Sequence, residues 1–313
     1  MLFLKYPNTM SRPLIPLFLA LSSSVAQATD LQLSTQFSTS NRPFLEAAVT
    51  DLPTGPGQTR FGVSTHAIRA SYRQSLSLPA LGAVQGDAEL SHPWSGGLRL
   101  RGQLGGSVGP VALGIGGEVF NAPLSTEAPL APWQEEAHDL RPQGWNVNLD
   151  ARYRLSRFLT AHGHSELGAQ ANTLAELEWR RAPAADADPD NVLLLRGGVR
   201  AGQDVLGLST GVTYRTGSGL SLSADALLGA QPSLSARLNL PPLGDTELSA
   251  YASYEPWRRF SAPLRYGADL SRPLGRGQLG VSLRGGQGLD GQPGFGAALQ
   301  YSLPLGQQGD DTP

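Results

Sequence analysis

The sequence predicts an all-β chain, an antiparallel up-and-down transmembrane β-barrel of about 16 strands with 14 and 18 as its bounds. Three observations carry that expectation. Apolar and polar residues alternate with period two through 192–240, short breaks rich in Gly, Ser, Thr and Pro separate the runs, and an export leader precedes them. In 192–201, Leu193, Leu195, Gly197 and Val199 share one face while Arg196 and Arg200 share the other. Leu206, Leu208, Val212 and Tyr214 then oppose Ser209, Thr213 and Arg215. Leu222, Ala224, Ala226 and Leu228 oppose Ser221, Ser223 and Asp225, and Ala236, Leu238 and Leu240 oppose Ser235, Arg237 and Asn239. A soluble sandwich would bury the apolar faces together, whereas a barrel in lipid would turn them outward and line its lumen with the polar ones.

Composition narrows the choice. A net charge of -2 over 313 residues gives no electrostatic case for nucleic acid as a partner. Mean hydropathy is -0.19, and no apolar run is long enough for a mature transmembrane helix. A membrane strand commits only half its residues to lipid and crosses with about 9–11 of them, so hydropathy does not exclude a barrel. Cys is absent, which removes disulfides and thiolate metal sites. Lys5 is the sole lysine, so every basic group after the leader is an arginine, able to pair bidentately with carboxylates.

The leader reads as a secretory signal peptide over 1–28, with Arg12, an apolar stretch at 14–21 and small residues at Ala26 and Ala28. The barrel is expected over 29–305 and a polar tail over 306–313. Leu31, Leu33, Thr35 and Phe37 open the first strand. Phe61 and Val63 begin another, but the apolar phase has changed by Ile68, Ala70 and Tyr72, which requires a bulge or a turn between them. Strands are then expected over 81–90, 97–107, 110–120, 145–155, 158–168 and 171–181, four within 192–240, and finally over 246–254, 264–271, 278–285 and 294–303. That is about fourteen from position 81 onward and two to four before it. Glycines inside these strands are expected to allow curvature or close packing.

Loop lengths sort by side. The connections at 91–96, 121–144, 255–263 and 286–293 fall at one end, and the short ones at 156–157, 216–218, 241–244 and 272–275 fall at the other, as outer-membrane barrels arrange them. The loop at 182–190 lands on the short side. Trp145, Tyr153, Trp179, Tyr214, Tyr254, Tyr266, Phe295 and Tyr301 sit near strand ends on the apolar phase, where a membrane girdle would place them.

On these features the chain resembles bacterial outer-membrane β-barrel proteins of the porin-like kind, over nearly all of its length after the leader. The resemblance implies residence in the bacterial outer membrane, contact with outer-membrane lipid and insertion by the barrel-assembly machinery. The expected function is a passive, weakly selective channel for small hydrophilic solutes. The alternative is a non-conducting structural barrel, or a partner of an envelope or secretion assembly. Association into a homo-oligomer or an envelope complex stays open.

The polar phase nominates the lumen lining. From the first half come Arg99, Arg101, Asp150, Arg152, Arg154, His162, His164 and Glu166. From 171–200 come Glu176, Glu178, Arg180, Arg196 and Arg200, and farther on Arg215, Asp225, Arg237, Glu247, Arg265, Asp269 and Arg284. With Glu89 and Glu118 on the same phase the two signs nearly balance, and a barrel of this size can solvate them with an aqueous channel. A mixed lining of this kind predicts weak ion selectivity or salt bridges within the lumen.

Chemistry beyond lining is weighed and set aside. His162, His164 and Glu166 share a face at metal-ligand spacing, and Asp150 on the adjacent strand could orient a His if the register sets it opposite; lumen lining explains the same residues, and no metal or other cofactor is expected. Ser165 points the other way, so no nucleophilic arrangement forms and no enzyme is expected. Asp186, Asp188 and Asp190 lack the Gly and Glu of a calcium loop. The segment with Trp133, Glu135, Glu136, His138 and Asp139 is expected to be a mobile solvated loop, with inward folding or a surface partner as alternatives.

Overall fold

A computed structural model describes residues 30–39, 43–78, 82–181 and 191–305. The expected leader, the polar tail and the acidic loop at 182–190 lie outside the described residues. The chain opens with β1 (Asp30–Ser38), β2 (Phe44–Thr54), β3 (Gly57–Ser64), β4 (Ala67–Leu78), β5 (Gly82–Pro93), β6 (Arg99–Val108) and β7 (Val111–Phe120). A single helical turn, α1 (Leu124–Glu127), and a 3-10 turn at Ala131–Trp133 follow. Next come β8 (Gly144–Arg154), β9 (Leu159–Gly168), β10 (Asn172–Arg180), β11 (Val192–Gly202), β12 (Leu206–Arg215) and β13 (Ser221–Gly229). The last five are β14 (Ser233–Asn239), β15 (Glu247–Tyr254), β16 (Leu264–Leu274), β17 (Gly277–Gln287) and β18 (Pro293–Pro304).

Each strand pairs antiparallel with its chain neighbours, and β1 also pairs with β18 from Asp30↔Pro304 to Ser38↔Gly296. The sheet is therefore a closed barrel of 18 strands, the upper bound of the range set by the sequence. Fourteen of them follow position 81 and four precede it. The strands beyond the central expectation of 16 come from the N-terminal part, where β2 carries Glu46, Asp51 and Pro53 and its register shifts between Val49 and Leu52. Asp51 sits at φ 56, and this bulge breaks the alternation that marks strands elsewhere. The phase change ahead of Ile68 is a tight turn: Val63 faces Ile68 and Phe61 faces Ala70 across the β3–β4 hairpin.

The apolar side chains point out of the barrel. Leu104, Leu208 and Val119 are 57%, 61% and 62% exposed on sheet with no second layer, which rules out the sandwich. Such a belt is the surface a membrane barrel turns to lipid. Trp145, Tyr153, Trp179, Tyr214, Tyr254, Tyr266 and Phe295 are exposed on the same outer face near strand ends. Several rings lie over glycines of the neighbouring strand, so that a Cβ at Gly57, Gly277 or Gly285 would meet Tyr72, Tyr301 or Tyr266. Close packing is thus one use of the strand glycines.

The outward Ile115, half exposed in mid-β7, tests this orientation. Ile115→Arg is expected to cost about 2–4 kcal/mol in reversible unfolding from vesicles. Asn148→Arg, one strand away on the inner face, is expected to change the same measurement far less.

Candidate functional site

The site is the barrel interior together with two loops that fold into it. Strand alternation puts Asn148, Asp150 and Arg152 of β8 inward, opposite Trp145, Leu149 and Tyr153. Their register partners on β9 are Glu166, His164 and His162. Asp150 therefore does lie opposite His164, with Oδ1 2.8 Å from Nδ1; the other ring nitrogen is 3.3 Å from Glu166. His162 lies 3.8 Å from Asp150 and 3.9 Å from Glu176. Ser165 faces outward and bonds Thr173. Among the described residues no group of three or more His, Asp or Glu is arranged to hold a metal ion.

The loop 121–143 is not a mobile solvated segment; it packs into the long-loop end of the barrel. Glu127 is almost fully buried, accepts a hydrogen bond from Ser91 on β5 and lies 3.7 Å from the Arg99 guanidinium. Arg69 donates to the Glu127 carbonyl, and Arg99 to the Ala122 carbonyl at 3.0 Å and to Glu118. Farther along, Leu130 and Trp133 pack with Ala262. The Trp133 ring covers Gly286 and Gly294, and Leu130 covers Gly296, so three glycines of β17 and β18 form the seat. Tyr251 donates to the Trp133 carbonyl, and Arg237 of β14 holds Glu135 at 2.5 Å. Sequence reasoning could not place this loop, because its seat lies more than 150 residues away along the chain.

A second loop, 255–263, closes in from the other side. Trp257 is buried against Val205 and Leu227, with the Arg258 and Arg200 guanidinium groups 4.4 and 5.1 Å from its ring centroid. Arg258 donates to both oxygens of Glu166 at 3.0 Å and to Glu255 at 3.1 Å. Glu255 also accepts from Arg265. The two loops touch: Leu140 donates to the Phe260 carbonyl at 2.8 Å and Ser261 to the His138 carbonyl at 2.7 Å. Arg258, Glu255, Glu127 and Trp257 are the residues the sequence did not single out; two tryptophans in polar loops were the available signal.

The remaining nominated residues divide by height. Toward the loops, Arg99 and Arg265 are buried at 6% and 1% exposure. In mid-barrel, Arg196 meets Asp225 at 2.6 Å and Arg284 meets Asp269 at 2.6 Å. Toward the short turns, Arg152, Arg154, Arg180, Arg215 and Glu247 are exposed. Arg101, Asp150, His164 and Glu166 border a cavity of about 530 Å³ beneath the loops. Arg152, His162, Glu176, Glu178, Arg200 and Arg215 border another of about 680 Å³ toward the short turns.

No protein-family model matches the chain, and no curated protein matches it. Solved structures similar to it include a triple mutant of the Rh. blastica porin, at 10% identity and a TM-score of 0.45. A second triple mutant of the Rhodopseudomonas blastica porin gives 9% identity and a TM-score of 0.46. Both matches cover 88% of this chain and 99% of the other. The chain is a closed, 18-stranded antiparallel β-barrel. That statement rests on its own closed ring of strands and outward apolar face.

Loop docking carries a pH dependence. Burial pushes the His138 imidazole down, and Arg101, Arg99 and Arg265 push it further, to about 4. The docked loop therefore favours neutral His138, and this stabilisation is complete above the ordinary value of 6.5 and lost as pH falls toward 4. Burial would raise the Glu255 carboxyl, but the charges of Arg258 and Arg265 outweigh it and hold it below its usual range, so its contribution is lost only below about 4.5. A fluorophore on Glu136→Cys, unique in a cysteine-free chain, is expected to report undocking between pH 6.5 and 4.5. His138→Gln is expected to flatten the response in that window.

Proposed function

We propose that the chain is a passive, weakly selective channel for small hydrophilic solutes in the bacterial outer membrane, narrowed at its long-loop end by 121–143 and 255–263. One observation carries this reading. The two cavities of about 680 and 530 Å³ share Ser223, Asp225, Ser235 and Arg237 as common wall, so polar space continues from the short-turn side up to the loops. Many of the interior ion pairs, such as Arg196 with Asp225 and Arg284 with Asp269, join nearby strands along the wall. An export leader, outer-membrane lipid around the apolar belt and insertion by the assembly machinery complete the proposal.

A non-conducting barrel is the second reading. It is favoured by the anchors that tie loop to wall, Arg258 to Glu166 and Arg237 to Glu135. Planar-bilayer recording separates the two, with insertion checked independently by vesicle flotation. Stable ohmic steps from the purified protein are expected. Flotation without steps would establish the plugged barrel. Trp133→Ala, which empties the seat over Gly286 and Gly294, is expected to raise single-channel conductance without preventing flotation.

A further inference from the structure

The charges on the larger cavity are unevenly matched. Arg152, Arg196, Arg200, Arg215 and Arg237 border it, against Glu176, Glu178 and Asp225. Arg196 is committed to Asp225 at 2.6 and 3.0 Å and reaches Glu178 at 4.0 Å. Arg237 is tied to Glu135 at 2.5 Å. Arg200 donates to Asn172 at 2.6 Å and lies over Trp257. Arg152 and Arg215 have no hydrogen-bond or ion-pair partner among the described residues, and both are exposed. Of the acids, Asp225 is paired with Arg196, Glu178 reaches only that same guanidinium among the described residues, and Glu176 accepts from Ser209 at 2.5 Å and lies 3.9 Å from His162, so five arginines stand against three carboxylates.

Neutral donors complete the wall. Thr160, Ser221, Ser223 and Ser235 border the same cavity and hold no side-chain hydrogen bond among the described residues. Ser221 is the register partner of Arg215, and His162 that of Arg152. A guanidinium offers paired donors that match a carboxylate or phosphate, and it stays charged across the accessible pH range. Arg154 and Arg180 lie one alternation nearer the short-turn mouth, in phase with Arg152 and Glu178, and are likewise exposed. Arg152 and Arg215 are four strands apart, roughly 19 Å along the wall at the usual strand spacing. They form an attracting surface, not one tight pocket.

We infer that this cavity is a weak site for small oxyanions, carboxylate- or phosphate-bearing, and that the channel consequently prefers anionic solutes. The inference rests on the channel reading and gives it a substrate class. Attraction of this kind acts over a Debye length, about 10 Å at 0.1 M salt and 3 Å at 1 M, so the preference weakens as salt rises.

Reversal potential in a potassium chloride gradient tests it. The native channel is expected to reverse on the chloride side of zero, with the displacement shrinking at high salt. The double variant Arg152→Gln/Arg215→Gln, checked for insertion by flotation, is expected to lose that displacement. Inorganic phosphate added to the native channel is expected to reduce chloride current, and to do so less in the double variant. Reversal at zero or on the potassium side in the native channel overturns the inference and leaves the channel standing. So does a double variant whose reversal is unchanged. Inserted protein without current overturns the channel reading and this inference with it.

Discussion

In hydrocarbon no backbone N–H or C=O can be left without a partner, and the pairing of β1 with β18 is what meets that requirement here. Closure dictates much else. With neighbours in sequence also neighbours in the sheet, an even number of strands returns β18 to the end where β1 began, so Asp30 and Pro304 are register partners. Successive hairpins then alternate between the two ends, which sets 121–143 and 255–263 at the same end of the barrel. Closure also decides which face each residue takes, since one alternation runs unbroken around the ring except at the β2 bulge.

The long-loop end obeys different physics. A bore of 18 strands is too wide for its own side chains to fill, and here chain folded back from 121–143 and 255–263 fills part of it. Trp133 and Trp257 are each almost fully buried, a contribution on the order of 3 kcal/mol apiece by apolar area. Polar anchoring adds specificity of position. Glu127 is buried beside Arg99, and removing either partner of such a pair costs about 3–5 kcal/mol by leaving the other charge uncompensated. The glycines under Trp133 matter for the same reason: a Cβ at Gly294 would occupy the indole's place. The loops are parts of the packed structure at this end.

What could be read from the sequence was what has a short period. Alternation of apolar and polar residues assigned faces to β8 through β13 and put Asp150 on the same face as the histidines of the next strand; that it lies opposite His164 needed the register. It failed in β2, where Glu46, Asp51 and Pro53 and a bulge interrupt the pattern. It was silent on the loops, because Trp133 meets Gly294 and Arg258 meets Glu166 across separations that leave no local trace. The lumen charges show the same division. That Arg196, Arg200 and Arg215 point inward follows from period two; that Arg196 takes Asp225 while Arg215 has no side-chain partner among the described residues depends on which strands the ring sets side by side.

Those inward charges bear on whether the interior is wet. An unpaired ion removed from water costs several kcal/mol even after relaxation. Arg99 and Arg265 accept nearly complete burial because Glu118, Glu127 and Glu255 surround them. Arg152 and Arg215 have no such company among the described residues and remain exposed. The charged side chains are therefore graded along the barrel axis, buried and ion-paired against the loops and exposed toward the short turns. A barrel serving only as a scaffold would have no need of uncompensated arginines on its wall, where paired or neutral side chains would serve stability better. Among the described residues Arg152 and Arg215 lie beside four hydroxyls that hold no side-chain hydrogen bond, the arrangement from which the anion preference is inferred.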